Sequence, residues 1–265
     1  MEFQEIILEK EGGIATITLN RPERLNALGD IITTELINAV EECVEDSNVR
    51  VIIITGAGKA FSAGGDYRDI FKPGLEKPAL EWRHGMRSGS SRLVTLFTGC
   101  EKPIIASVNG LAIGGGCTIA LASDIRIVSE EARFGLVFSR IGITPEFGCS
   151  YLLPRIVGLS KALELLFDAE IIEAREAEKI GLVNKVVPHA DLKKATRKYA
   201  EKLLKRPPAA LGMTKSLLYR SLSSDMLSQL ELEALAISTA FKTEEHQEAV
   251  KAFLEKSSKK GKKAS

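Results

Sequence analysis

The chain is poor in features that would place it quickly. Nowhere in its 265 residues is there a run of about 20 apolar residues, so no segment is expected to span a membrane. The opening MEFQEIILEKEGG has no positive region followed by an apolar stretch, so no secretory signal is expected there. Net charge is almost absent, with 36 Lys and Arg against 35 Asp and Glu, which removes any general electrostatic reason to expect a nucleic acid partner. Cys43, Cys100, Cys117 and Cys149 are widely spaced and form no CxxC pair. They read as buried small hydrophobes rather than a disulfide framework or zinc site, and a reducing cytoplasm suits them. Neither GxxxxGK[ST] nor a GxGxxG after a strand occurs, so nucleotide binding through those motifs is unsupported.

What is present is an alternating pattern. Ile14 to Leu19 is β-branched and bounded by Gly13 and Pro22, which predicts a strand. Asp30 then opens a helical stretch with Leu36, Val40 and Val44 on one face. Val51 to Thr55 and Ile104 to Val108 are continuous apolar runs, typical of strands buried on both faces of a parallel sheet. Ile125 to Val128 and Val183 to Val187 read as further strands, so the fold class is α/β with right-handed crossovers. Tyr67 to Gly99, with mixed charge, two prolines and a serine patch, is expected to be an irregular lid or binding loop. From Asp191 the pattern is helical, with a new helix expected at Pro207-Pro208. The basic end, 257–265, is expected to be a disordered tail.

Two glycine-rich segments follow the buried strands: Phe61-Ser62-Ala63-Gly64-Gly65-Asp66, and Asn109-Gly110 leading to Gly114-Gly115-Gly116. Glycines there let backbone N–H groups point at a ligand and place a helix N-terminus beneath it. Such a device suits negative charge, either a phosphate or an oxyanion held by one donor from each loop. Tight turns and close helix packing would require the same glycines.

Together with Asn26-Ala27-Leu28, these segments resemble the crotonase superfamily, the enoyl-CoA hydratase/isomerases, from about Glu5 to Lys256. The resemblance implies a ClpP-like α/β spiral of repeated ββα units over 1–190 and a helical trimerisation region over 191–256. It implies an acyl-CoA thioester as substrate, no separate cofactor, and a homotrimer or dimer of trimers. It places the oxyanion hole on the amides of Ala63 and Gly115. Arg24, Leu25 and Ala27 fall on the family's adenine–pantetheine strip. Ser62, Gly65, Asp66, Leu111, Gly116 and Phe138 fall around the bound thioester, with Asp66 holding its loop.

The acid/base residues must select the reaction. Resemblance to the hydratases predicts glutamates at two positions, which here hold Thr118 and Phe138. Neither can move a proton near neutral pH, so a two-glutamate hydratase is disfavoured. Glu146, after Pro145, instead resembles the acidic residue of the Δ3,Δ2-enoyl-CoA isomerases. A single carboxylate suffices for isomerisation, and Phe138 would be a wall excluding water. An atypical hydratase, a hydrolase or dehalogenase-like enzyme using His84, and a catalytically silent scaffold are the alternatives. His84 reads as an exposed loop residue and Asp124 as a structural carboxylate. His189 and His246 show no metal-ligand spacing.

Overall fold

The computed structural model describes residues 2–261. Strand β1 (Ile6–Glu11) pairs antiparallel with β2 (Ile14–Leu19). The connection is only Gly12-Gly13, both at positive φ (58° and 84°), the backbone a tight two-residue hairpin demands. Strands β3 (Val51–Gly56), β5 (Ile104–Val108), β7 (Ile125–Ser129) and β10 (Lys185–Val187) then add in parallel, each beside its predecessor, to give six strands in the order β1-β2-β3-β5-β7-β10. The intervening strands form a second sheet. There β4 (Ala60–Ser62), β6 (Leu111–Ile113) and β8 (Arg133–Gly135) run parallel, and β9 (Ile171–Glu173) closes the edge antiparallel to β8. From β3 to β8 the chain thus visits the large sheet and the small sheet alternately, as the α/β spiral requires.

Burial drives this arrangement. One face of the large sheet packs with the helices Asp30–Glu45, Arg92–Gly99 and Gly115–Ala122 around Ile17, Ile52, Ile54, Phe61, Phe97 and Phe134. The opposite face buries Ile14, Val51, Ile53, Ile105 and Ile127 under Leu192 and Ala200 of the helix Leu192–Leu204. That helix therefore belongs to the sheet's own core, and the expected division at 190/191 falls too early. The helices without such a place start at Pro208–Ser221, with Pro208 in the first turn as expected, followed by Met226–Ala240 and Glu244–Gly261. No residue of Met226–Ala240 is buried. The expected tail is helical through 261, and 262–265 lie outside the described residues.

The stretch 67–99 is helical rather than irregular. Asp66 caps its first turn, accepting from the amides of Arg68 and Asp69. Pro78 stands immediately before the helix Ala79–Met86. The serine patch does not break the following turns, because Ser88 and Ser90 return their hydroxyls to the carbonyls of His84 and Met86, both at 3.1 Å. Leu93 and Phe97, one turn apart, anchor the last segment in the core. Among the described residues no helix is long and apolar enough to cross a membrane.

A candidate active site at the ends of three strands

Strands β4, β6 and β8 are adjacent and parallel, and the loops leaving their carboxyl ends converge. This is where open α/β sheets place ligands. The loop after β4 turns at Gly64 (φ 84°), where a Cβ would stand 2.6 Å from the Ile113 carbonyl oxygen. It then runs beside Leu28: the Leu28 amide donates to Gly64 O at 2.7 Å, and the Asp66 amide donates to Leu28 O at 2.8 Å. In that parallel pattern the N–H of Gly65 itself faces away from Leu28. The loop after β6 turns at Gly114 (φ 51°, ψ −123°), a conformation only glycine adopts readily. Gly115 follows as the first residue of a helix, whose leading amides have no partner within the helix. Among the described residues neither the Gly65 nor the Gly115 amide meets an acceptor.

The expected donor Ala63 must be corrected. Its N–H donates to Leu25 O at 2.9 Å and is spent within the fold. Gly65, two residues further, offers the free amide from the same loop.

The loop geometry rests on Asn26. Leu25 and Asn26 both have left-handed backbones (φ 52° and 55°), an uncommon pair for residues with side chains. The fully buried Asn26 amide sustains it: Oδ1 accepts from the Arg21 amide at 2.8 Å, and Nδ2 donates to the carbonyls of Ala57 and Ala60. Ser62 Oγ donates to Asn26 O at 2.8 Å and accepts from the Gly64 amide. Asn26→Leu strands these groups without partners, and a loss of about 3 kcal/mol in urea unfolding is expected. A loss below 1 kcal/mol would remove Asn26 from this role.

The remaining expected residues divide between scaffold and pocket. Burial works against ionisation of Asp66, but the Arg68 and Asp69 amides with Arg24 and Arg21 outweigh it and hold the carboxyl below its ordinary range. Asp66 therefore ties the loop, as the resemblance implied. Arg24 lies 3.2 Å from both Asp66 and Asp69, so its charge is already balanced. Leu25 is exposed, Leu111 half-buried and Ala27 buried. Ser62 and Gly116 do not face a ligand: Ser62 is fully enclosed, and a Cβ at Gly116 would meet Ser62 O at 2.5 Å. Phe138 is buried beside Gly114.

The loop after β8 supplies Glu146. Its carboxyl is half-buried in one pocket with Leu28, Gly65, Ile70 and Phe147. No donor among the described residues hydrogen-bonds it, and burial pushes its pKa up to about 7. Phe147 (φ 51°) and Gly148 (φ 73°), both left-handed, turn the chain into the helix Cys149–Val157, and the Cys149 amide donates to Glu146 O at 3.0 Å. Phe147 also covers Gly115, where a Cβ would lie 3.0 Å from its ring and 3.1 Å from Leu28. Nothing in the sequence signalled the left-handed Phe147.

The other candidates lie elsewhere. Thr118 is buried and donates to Gly114 O at 3.1 Å. His84 is exposed on the helix Ala79–Met86 rather than in a loop. Asp124 accepts from the Ile104 amide at 2.7 Å and Tyr219 at 3.0 Å and pairs with Lys215 at 2.8 Å, a structural role. His189 meets Ser129 at 3.0 Å, and His246 packs on the Phe241 ring.

Comparison with known proteins agrees with this geometry. Residues 9–262 match the enoyl-CoA hydratase/isomerase family. The short-chain-enoyl-CoA hydratase of Clostridium acetobutylicum is 41% identical over 259 residues, covering 97% of both chains. The 1,2-epoxyphenylacetyl-CoA isomerase of Escherichia coli is 34% identical over 260 residues, again covering 97% of both. Among solved structures, an enoyl-CoA hydratase/isomerase from Cupriavidus metallidurans is similar with a TM-score of 0.91 at 31% identity, covering 97% of this chain and 95% of that one. The enoyl-CoA hydratase of Bacillus anthracis gives 0.87 at 33% identity, covering 96% and 97%. The chain therefore belongs to the enoyl-CoA hydratase/isomerase family of the crotonase superfamily, whose enzymes act on coenzyme A thioesters.

Proposed function

We propose that this enzyme moves the double bond of a 3-enoyl-CoA to the 2-position, with Glu146 as its single acid/base. The observation that carries this reading is one half-buried carboxyl poised at about 7 in the same pocket as the Gly65 amide, close to Gly115. The thioester carbonyl oxygen accepts from the Gly65 and Gly115 amides. The Glu146 carboxylate takes a proton from C2, and the released electron pair spreads through the carbonyl and the C3–C4 double bond as a dienolate. Two fixed donors stabilise that oxyanion more than the neutral thioester, which lowers the barrier. The Glu146 carboxyl then returns its proton at C4, leaving a C2–C3 double bond conjugated to the carbonyl. Phe147 and Phe138 border the site with apolar surface that limits water, which would otherwise compete for the dienolate.

Hydration is the second reading, favoured by the names of the more similar relatives. It needs a group to orient water, and the positions that hold hydratase glutamates carry a hydroxyl committed to Gly114 O and a phenyl ring. The four free, buried thiols suit a reducing cytoplasm. Exposed Met226, Leu227, Leu235 and Ile237 support assembly through the C-terminal helices, as a trimer or dimer of trimers. The test mixes the protein with cis-3-hexenoyl-CoA and, separately, with crotonyl-CoA. Conjugated thioester is expected to appear rapidly from the first, and 3-hydroxyacyl-CoA at most slowly from the second. Hydration of crotonyl-CoA faster than isomerisation would overturn the proposal.

A further inference from the structure

The pocket around Gly65 and Glu146 continues away from them as a groove, part of one cavity of about 460 Å³. One wall is a single stripe of the helix Asp30–Glu45, carrying Thr33, Thr34, Ile37 and Asn38 at helical spacing. The facing wall carries Trp82 and Met86, with Gly85 and Gly89 between the larger side chains. A Cβ would find open space at Gly85, with nothing within 4 Å, and ordinary contact at Gly89, with Thr33 Cγ2 at 3.7 Å. At about 1.5 Å rise per residue, Asn38 stands about 12 Å along the helix from Asp30, near the reacting end.

The two walls differ in what they leave open. Ser88 and Ser90 have given their hydroxyls to backbone carbonyls. Thr33, Thr34 and Asn38 have no side-chain hydrogen-bond partner among the described residues. Farther along, Arg92 donates to Glu41 at 2.6 Å, so the cation at that end is already neutralised. A plain hydrocarbon laid along this groove would strip water from the Asn38 amide and return nothing. A distal carboxylate would meet Glu41 beside a guanidinium already paired. A neutral oxygen would satisfy the amide.

We propose that the groove selects acyl chains of medium length that carry an uncharged oxygen near the far end, recognised by Asn38 with Thr34, and that Gly85 and Gly89 admit them. This rests on reading the pocket as an acyl-CoA site, but not on which reaction follows. Equilibrium binding of saturated, non-reacting thioesters tests it by calorimetry. The wild type is expected to bind 10-hydroxydecanoyl-CoA about tenfold more tightly than decanoyl-CoA, the size of one well-made hydrogen bond. Asn38→Leu is expected to abolish or invert that preference while leaving butyryl-CoA affinity unchanged. Gly89→Leu is expected to weaken both decanoyl ligands about tenfold and spare butyryl-CoA. Equal wild-type affinity for the two, a preference that survives Asn38→Leu, or tighter binding of the distal carboxylate analogue would overturn the proposal. The isomerase reading fails separately, through absent turnover of 3-enoyl-CoA while these binding preferences stand.

Discussion

Glu146→Gln is expected to lower kcat for 3-enoyl-CoA about 10³-fold with little change in KM, because the amide keeps the shape of the side chain and loses only its proton transfer. The pH dependence gives a second readout. In the proposed isomerisation the reacting form of the free enzyme is the carboxylate, so kcat/KM should rise with pH and level off above about 7, where Glu146 is ionised. The residual activity of the variant should lack that rise. Stability carries the opposite sign. Unfolded Glu146 releases its proton near the ordinary value of 4.5, whereas the folded group keeps it up to about 7. Between those values the folded state binds more protons, and wild-type stability falls as pH rises. Glu146→Gln escapes this loss, so it should match the wild type near pH 4 and unfold at higher urea concentration than the wild type at pH 8. Activity within tenfold of wild type would exclude Glu146 as the base.

Gly115→Val should be nearly as damaging by a different route. The first added carbon already lies 3.0 Å from the Phe147 ring and 3.1 Å from Leu28, so a branched side chain must push one of them into the pocket. The carbonyl oxygen can then no longer reach both amides, and kcat is expected to fall about 10²- to 10³-fold. Glu146 is unchanged, so the midpoint of the pH profile should stay near 7 if the variant retains measurable turnover. Gly99→Ala is the control, since a Cβ there meets nothing within 4 Å and Gly99 lies outside the site. A Gly115→Val enzyme with near wild-type kcat would place the oxyanion elsewhere.

Much of the scaffold was legible where one residue type repeats. Val51–Thr55 and Ile104–Val108 announce buried strands because both faces of the sheet are covered. The three-residue strands β4, β6, β8 and β9 give no such signal; three residues are too few to repeat an alternation. The prolines and serines of 67–99 suggested a loop, yet Asp66 caps the segment and its serines bond back to the helix. Site residues were legible by loop but not by atom. Motif spacing located the segment containing Ala63 and Gly65, but only the bond from Ala63 N to Leu25 O reveals which amide is already used. Likewise the resemblance places Arg24 on the adenine–pantetheine strip, and only the fold shows Asp66 and Asp69 already paired with it.

The alternation of strands between two sheets has a consequence for how such an enzyme can change. Gly65, Gly115 and Glu146 each follow a different turn of the spiral, after β4, β6 and β8. The first two turns supply backbone, which is insensitive to side-chain drift provided the glycines remain. The third supplies Glu146, the base of the proposed reaction, through a loop that shares no strand with the other two. New chemistry can therefore be acquired by rewriting one module, with the inherited electrophilic half left untouched.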